Sequence, residues 1–245
     1  MKAKIFLIAL FISAICIYLW GTDARLKPLG GHMYQDKHIL LDFDGTIADS
    51  WEVSFEILNS HAADYNFEPM SSDAASELTT AEILKKYQIG FLSQLNLVRK
   101  IKSSLTSKMI SIPIFQDFSQ SLADISSANQ KVVFSILTSN SEENVKKFID
   151  KHQLKYITNI FSNSSLFGKH RSIRSYIKHY SLNPKNILYI GDEVRDMEGA
   201  KKANVASMAV GWGYDPISKL ESTEPNYLAK TPEEAKKFIQ DFLNQ

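Results

Sequence analysis

The sequence predicts an α/β fold in which a parallel β-sheet is covered by helices on both faces. Short apolar segments typical of buried strands recur around Ile39, Val132, Ile157 and Ile187, with helical patterns between them. Parallel strands need crossover connections, and these are usually helices. Polar residues follow several of these apolar segments directly. Because α/β sheets bind their ligands at the carboxyl ends of the strands, we expect a functional site there.

The first predicted strand, His38–Leu41, ends in two carboxylates placed two positions apart. Asp42 and Asp44 follow the apolar segment, and Gly45 provides the backbone freedom for a sharp turn away from them. Two converging carboxylates repel each other unless a cation is present, and oxygen ligands suit a hard cation such as Mg²⁺. The pattern predicts a metal-assisted phosphoryl-transfer site, with a surface turn as the alternative.

The second predicted strand, Lys131–Leu137, ends in a cluster of hydroxyl and amide side chains. Thr138, Ser139 and Asn140 form this cluster, and Ser141 is a suitable N-cap for the helix that follows. Free backbone N–H groups at a helix N-terminus favour an anion. The segment therefore predicts a phosphate-binding loop, with an ordinary capped loop as the alternative.

Two later segments add a lysine and a second pair of acids. Lys169 follows a glycine at the predicted start of a helix, although a surface charge is the simpler interpretation of any one lysine. The apolar segment Asn186–Ile190 is followed by Gly191, Asp192 and, four positions further on, Asp196. If a helix begins here, both acids can face the same side and complete a magnesium site.

Taken in order, these four segments resemble the motifs of the haloacid dehalogenase (HAD) superfamily of phosphohydrolases. The matching residues are Asp42–Thr46 (DFDGT), Thr138, Lys169 and Gly191–Asp196 (GDxxxD). The likeness is nearest to the phosphoglycolate-phosphatase-like branch. It implies a Rossmann-like parallel sheet sandwiched by helices, the HAD-like core, with an inserted all-helical cap domain of the C1 type. We expect the core to comprise residues 33–48 and 112–245, and the cap to comprise residues 49–111.

The resemblance also implies a role for each acid. Asp42 would be the nucleophile that forms an aspartyl-phosphate, and Asp44 would be the general acid and base. Asp192 would bind Mg²⁺ together with the Asp42 carboxylate and the Asp44 backbone carbonyl, and Asp196 would act on the metal through a water. Family members that cleave carbon–halogen bonds lack the acid at the position of Asp44, so its presence favours phosphate chemistry.

The phosphate group itself would be held by Thr138, Ser139 and Lys169, which offset the charge that develops on its oxygens. The implied enzyme is a Mg²⁺-dependent phosphatase acting on a small phosphorylated metabolite, with phosphoglycolate as the nearest family substrate. A β-phosphoglucomutase-like phosphomutase is the alternative within the fold, and a membrane-tethered binding module with a dormant site is the alternative outside enzymes. The net charge of +1 over 245 residues indicates no nucleic-acid partner.

The predicted cap, residues 49–111, shows no strand pattern. Trp51 and Phe55 begin an apolar stripe at helical spacing, with Asp49 or Ser50 as the N-cap. In the family such a cap closes over the site and selects the substrate. The cap also carries a basic cluster, for which a solvated helix face is the preferred interpretation and a substrate contact is the alternative. Its members are Arg99, Lys100 and Lys102.

The N-terminus predicts a membrane or signal segment with a linker, over residues 1–32. Basic residues precede sixteen uncharged, mostly apolar residues at positions 5–20. This length lies between a signal-peptide core and a spanning helix and does not decide between them. We expect an uncleaved anchor that places the catalytic domain across the membrane. The alternative is translation from Met33, which would give a cytoplasmic protein.

Overall fold

A parallel sheet of six strands lies at the centre of this computed structural model, which describes residues 36–129, 131–162 and 168–245. Every neighbouring pair of strands is parallel, and the order across the sheet is 3-2-1-4-5-6 in chain numbering. This confirms the predicted fold class. The strands are β1 (Lys37–Leu41), β2 (Val132–Thr138), β3 (Ile157–Ser162), β4 (Ile187–Gly191), β5 (Ala206–Val210) and β6 (Tyr227–Ala229).

Alternate residues of the strands contribute to separate cores on the two faces of the sheet. In β1, Ile39 and Leu41 belong to one hydrophobic cluster and Leu40 to another, as the period of two along a strand requires. Both faces are apolar because helices cover both. The helices outside the inserted segment are α6 (Gln116–Ala128), α7 (Glu142–His152), α8 (Lys169–Tyr180), α9 (Val194–Ala203), α10 (Ile217–Glu221) and α11 (Pro232–Leu243).

Between β1 and β2 the chain forms helices and, within the described residues, no strand. These helices have a hydrophobic cluster of their own, which includes Phe55, Ile83 and Leu97. The entering and returning segments pair side by side, since Asp49 N donates to Pro113 O over 3.0 Å. The helices are α1 (Trp51–Ser60), α2 (Ala62–Tyr65), α3 (Ser72–Ala75), α4 (Thr80–Lys86) and α5 (Phe91–Lys108). We call the segment that contains α1 to α5 the cap; α6, which also precedes β2, is not part of it.

The predicted anchor at residues 5–20 and the alternative start at Met33 lie outside the described residues. In the three stretches that the structure covers, no helix combines the length and apolar character needed to cross a membrane. The proposals about the N-terminus therefore stay predictions.

Candidate active site

The predicted site residues of three strands meet at one end of the sheet. β1 lies between β2 and β4, with Leu41 aligned to Ile136 on one side and to Ile190 on the other. Asp42 continues this alignment, because its N–H donates to Ile190 O over 2.8 Å. Since all three strands are parallel, the residues after each of them lie at the same end of the sheet.

Three carboxylates form a buried cluster at this end. Asp42, Asp192 and Asp196 each have a carboxylate oxygen within 4.8 Å of the others, and each residue is at most 5 % exposed. Burial raises the pKa of Asp42 to about 7, an effect that Lys169 partly offsets. Burial, together with the neighbouring acids Glu193, Asp196 and Asp42, raises the pKa of Asp192 well above its usual value. Oxygen donors of this charge and spacing fit a hard divalent cation.

Lys169 is the cation of this cluster. It is the first residue of α8, and its Nζ lies 2.7 Å from Oδ2 of Asp42 and 2.9 Å from Oδ1 of Asp196. Burial acts to lower the pKa of Lys169, but the Asp196 and Asp42 carboxylates outweigh it and keep the pKa above its usual value. Lys169 is therefore a charged residue of the site and is not the surface lysine of the simpler interpretation.

Asp192 is held in place from two directions. The Thr46 hydroxyl donates to its Oδ1 over 2.7 Å, and the Tyr214 N–H donates to its Oδ2 over 2.8 Å. Gly45, which has φ of 77°, and Gly213 both lie against this carboxylate, so that a Cβ at either position would overlap it. The absence of two side chains thus creates the space that Asp192 occupies.

Asp196 uses both carboxylate oxygens within the protein. Its Oδ2 accepts from the Glu193 N–H over 3.1 Å, and its Oδ1 accepts from the Tyr189 hydroxyl over 3.3 Å and from Lys169. These contacts fix Asp196 at the start of α9. Because both of its oxygens already have partners, Asp196 is less free to rotate toward a cation than an acid with a free oxygen.

The side chain of Asp44 does not belong to the three-carboxylate cluster and has different partners. Its Oδ1 accepts from the Ser50 hydroxyl over 3.0 Å, and its Oδ2 accepts from the Asn140 amide over 3.3 Å. Burial raises the pKa of Asp44, and the hydrogen bonds from Ser50 and Asn140 act in the opposite direction. A carboxyl group held in this way gives up a proton less readily than a free one and can serve as a proton donor.

The position of Ser50 departs from the sequence prediction in one respect. Ser50 directly precedes α1 as expected for an N-cap, but its hydroxyl makes no capping hydrogen bond with that helix. It instead donates to Asp44 and lies 2.9 Å from the hydroxyl of Tyr214. Ser50 therefore joins the cap to the site, and α1 begins without a side-chain cap.

The phosphate-binding prediction falls on a loop that lines a cavity of about 660 Å³ between the sheet and the cap. Thr138 is 2 % exposed and its hydroxyl accepts from the Asn140 N–H over 3.0 Å. The Ser141 hydroxyl accepts from the Asn144 N–H, which confirms it as the N-cap of α7. Asp44, Thr138, Ser139 and Lys169 all line this cavity.

The three residues of the cap's basic cluster lie in two different environments. Arg99 and Lys100 are exposed, and Lys100 pairs with Asp64 over 2.8 Å. Lys102 instead lines the cavity, where its Nζ donates to the Ser139 carbonyl over 2.9 Å. The preferred interpretation of a solvated face is therefore wrong for Lys102.

Three contacts outside the motifs hold the cap against the sheet. The Tyr214 hydroxyl lies 2.9 Å from the hydroxyl of Ser54 in α1. The Thr80 N–H of α4 donates to Oδ1 of Asp215 over 3.1 Å. The Lys219 ammonium lies 2.8 Å from Oε1 of Glu82. Local sequence patterns do not indicate these contacts, because each joins two residues more than 100 positions apart.

Comparison with known families decides what this arrangement is. Residues 39–210 match the family model of haloacid dehalogenase-like hydrolases. The chain belongs to this hydrolase family. The expected family and fold are thereby confirmed, and the matched residues of the hydrolase include all four motifs.

Among curated proteins, the hydrolase is 25 % identical over 211 residues to the phosphoglycolate phosphatase of Synechococcus elongatus, covering 84 % of this chain and 99 % of the relative. Solved structures with the same fold include a predicted phosphatase from Clostridium acetobutylicum, with a TM-score of 0.73 and 19 % identity over 84 % of this chain and 99 % of that one. A phosphoglycolate phosphatase assigned without experiment, from Lactobacillus plantarum, has a TM-score of 0.69 and 17 % identity, covering 82 % and 98 %.

Proposed function

We propose that this hydrolase is a Mg²⁺-dependent phosphatase that cleaves a small organic phosphomonoester through an aspartyl-phosphate on Asp42. The observation that carries the proposal is the buried cluster of Asp42, Asp192 and Asp196 around Lys169, with Asp44 beside it on the wall of the cavity. This arrangement supports the proposal that a nucleophile, a proton donor and a cation site share one end of the sheet.

In the first step, Asp42 attacks the phosphorus atom of the substrate. An Asp42 oxygen–phosphorus bond forms and the ester phosphorus–oxygen bond breaks, and Asp44 gives its proton to the departing alcohol oxygen. The hydrogen bonds from Ser50 and Asn140 hold Asp44 in the orientation for this transfer. The raised pKa of Asp44 favours the protonated form that this step consumes.

In the second step, Asp44 takes a proton from a water molecule that attacks the phosphorus atom. The bond between phosphorus and Asp42 breaks, which releases inorganic phosphate and restores both carboxyl groups to their starting states. Lys169 and the Thr138–Ser139 loop hold the phosphoryl oxygens during both steps and offset their charge.

The carboxylates of Asp42 and Asp192, with the backbone carbonyl of Asp44, would hold Mg²⁺, and Asp196 would support the site from a greater distance. When bound, the ion supplies positive charge that lets an anionic carboxylate approach an anionic phosphate. Three buried acids with one lysine leave a local excess of negative charge, which supports a divalent cation here.

The relatives support a small phosphorylated metabolite as the substrate. The curated relative from Synechococcus elongatus is a phosphoglycolate phosphatase, and phosphoglycolate is accordingly the first substrate to test. A phosphomutase would use the same Asp42 chemistry but return the phosphoryl group to a sugar, so it would form an isomerised product with little free phosphate.

The test is phosphate release by the purified full-length protein from a panel of small phosphomonoesters, with Mg²⁺ or with a chelator. We expect metal-dependent release that falls at least about 1,000-fold in Asp42→Asn, which removes the attacking charge at constant volume. Asp241→Asn, an exposed acid of α11, is the matched control and should keep full activity.

A phosphate adduct on the peptide that contains Asp42, detected by mass spectrometry after rapid quenching, would support the covalent intermediate. Retained activity in Asp42→Asn would exclude it. Tight binding of a phosphate ester with Mg²⁺ but without turnover would instead favour the binding module.

A further inference from the structure

Lys102 is a cation that the cap contributes to the cavity. It lies on α5 and its Nζ reaches the Ser139 carbonyl, next to Thr138 of the phosphate-binding loop. Val98 and Leu105, four positions before and three positions after it, line the same cavity. Lys102 is therefore on the face of α5 that looks toward the proposed phosphoryl group.

The charge of Lys102 is not matched by an acid. Among the described lysines and arginines that line the cavity, Lys169 pairs with Asp42 and Asp196, Arg195 with Glu193, and Lys202 with Glu198. Lys102 has no carboxylate within ion-pair distance in the described part of the chain, and a neutral carbonyl is its hydrogen-bond partner.

Burial lowers the pKa of Lys102, while the nearby acids Asp44 and Asp42 act to raise it. An ammonium group has three donors, of which the Ser139 carbonyl takes one. A partly buried cation with donors to spare is stabilised when an anion arrives, because the anion offsets the cost of its desolvation.

The rest of the cap side of the cavity is mostly apolar, and its polar residues are Ser54, Thr79, Thr80 and Gln94. Trp51, Phe55, Leu84, Leu95 and Val98 contribute to this wall. A sugar has several hydroxyl groups, and most of them would lose water against the apolar part of this wall without gaining partners, which is unfavourable. A leaving group with a compact hydrocarbon body would pack against this wall without burying hydroxyl groups.

We propose that Lys102 is the specificity-determining residue of the cap, which binds a carboxylate that the leaving group carries close to its ester oxygen. The favoured substrates are then phosphorylated hydroxy acids with an apolar body, in preference to sugar phosphates. A monoanionic carboxylate matches the single unpaired lysine, and the closeness of Lys102 to the phosphate-binding loop sets the short distance between the two anionic groups. This inference rests on the proposed phosphatase function.

The test compares two probes, 2-phospholactate and its carboxyl methyl ester, in which a neutral ester with one added methyl group replaces the charged carboxylate. Lys102→Met keeps the length of the side chain and removes the ammonium group. We expect it to raise KM for 2-phospholactate by about 10- to 100-fold, the range for a hydrogen bond to a charged group, with kcat changed little. KM for the methyl ester should change less than about 3-fold.

Two further variants separate charge from packing. Lys102→Arg keeps the charge and should restore KM for 2-phospholactate to within about 5-fold of the wild type. Lys100→Met removes an exposed lysine of the same helix, whose partner Asp64 is outside the cavity, and should leave both probes unaffected.

If Lys102→Met raises KM equally for both probes, the proposal is overturned, because Lys102 would then act on the phosphoryl group or on Asp44. A wild-type preference for glucose 6-phosphate over 2-phospholactate would overturn the substrate class. Neither result touches the proposed function, which depends on Asp42-dependent phosphate release from any member of the panel of phosphomonoesters. If wild type releases no phosphate from either probe or from the panel, the proposed function fails and this inference fails with it.

Discussion

The Thr46 hydroxyl donates a 2.7 Å hydrogen bond to Oδ1 of Asp192, which joins the first sequence motif to the last. Partners of this kind orient a metal-binding carboxylate, and their loss typically weakens metal binding by about 10- to 100-fold. This bond therefore gives a test of the cation site that leaves every acid in place.

We expect Thr46→Val to weaken Mn²⁺ binding by about 10-fold or more, because the valine has the shape of threonine but no hydroxyl. Mn²⁺ is a suitable probe since its binding to the protein can be followed directly by electron paramagnetic resonance. Thr46→Ser keeps the hydroxyl and is the control. Equal affinities in wild type and Thr46→Val would show that Asp192 does not depend on this bond.

Ser50→Ala should lower kcat about 10-fold for alkyl phosphates, because Asp44 loses the hydroxyl that orients it. The loss should be smaller for p-nitrophenyl phosphate, whose leaving group needs little protonation. Ser54→Ala is the matched control, since Ser54 contacts the Tyr214 hydroxyl but is not a partner of Asp44. If the two variants behave alike, the effect of Ser50 comes from the Tyr214 contact and not from orienting Asp44.

Asp215 should make the cap contact sensitive to pH. Burial raises its pKa from 3.8 to about 6 while it accepts from the Thr80 and Val194 N–H groups. The Asp215 carboxyl thus binds its proton more tightly in the folded protein than in the unfolded chain. Protonated Asp215 therefore stabilises the fold below pH 4, and this stabilisation is lost as the pH rises through 6. The corresponding change in the free energy of unfolding is about 3 kcal/mol at most.

Urea denaturation of the metal-free protein between pH 4 and 7 measures this effect. The free energy of unfolding of wild type should fall relative to that of Asp215→Asn as the pH rises. The asparagine variant lacks one hydrogen-bond acceptor at every pH. Only the change with pH of the difference between the two free energies of unfolding therefore reports on the ionisation of Asp215. Parallel curves for the two proteins would mean that Asp215 does not titrate in this range.

Gly213→Ala should remove metal binding although every acid remains. A Cβ at Gly213 would overlap the Asp192 carboxylate and displace it. We expect phosphate release to fall at least about 100-fold, with circular dichroism showing a folded protein. Gly90→Ala is the control, since a Cβ there meets nothing within 4 Å. Wild-type activity in Gly213→Ala would show that the loop can yield without moving Asp192.

The sequence predicted the parts of the site that depend on local pattern. Asp42 and Asp192 each follow a buried strand and Thr138 ends one, and parallel strands with helical crossovers must place such residues at one end of the sheet. Lys169 was predictable as the start of a helix, although its contact with Asp42 depends on how α8 packs.

The remaining features depend on packing between distant segments. Ser50 is one of two N-cap candidates in the sequence, with Asp49, but its bonds to Asp44 and Tyr214 depend on the fold of the whole chain. β6, Tyr227–Ala229, is three residues long and too short to show an alternating pattern. The position of Lys102 did leave a signal, because its spacing from Val98 and Leu105 puts it on the apolar face of α5.

The space between Gly45 and Gly213 has a consequence for how this activity could be lost in evolution. Gly213, which lies outside the four motifs, can change through a single substitution that leaves those motifs readable in the sequence, while the added side chain displaces Asp192. A descendant of this protein could then keep every acid, fold normally and hydrolyse nothing. In such a lineage Gly213, and not the aspartates, would distinguish an enzyme from a former enzyme.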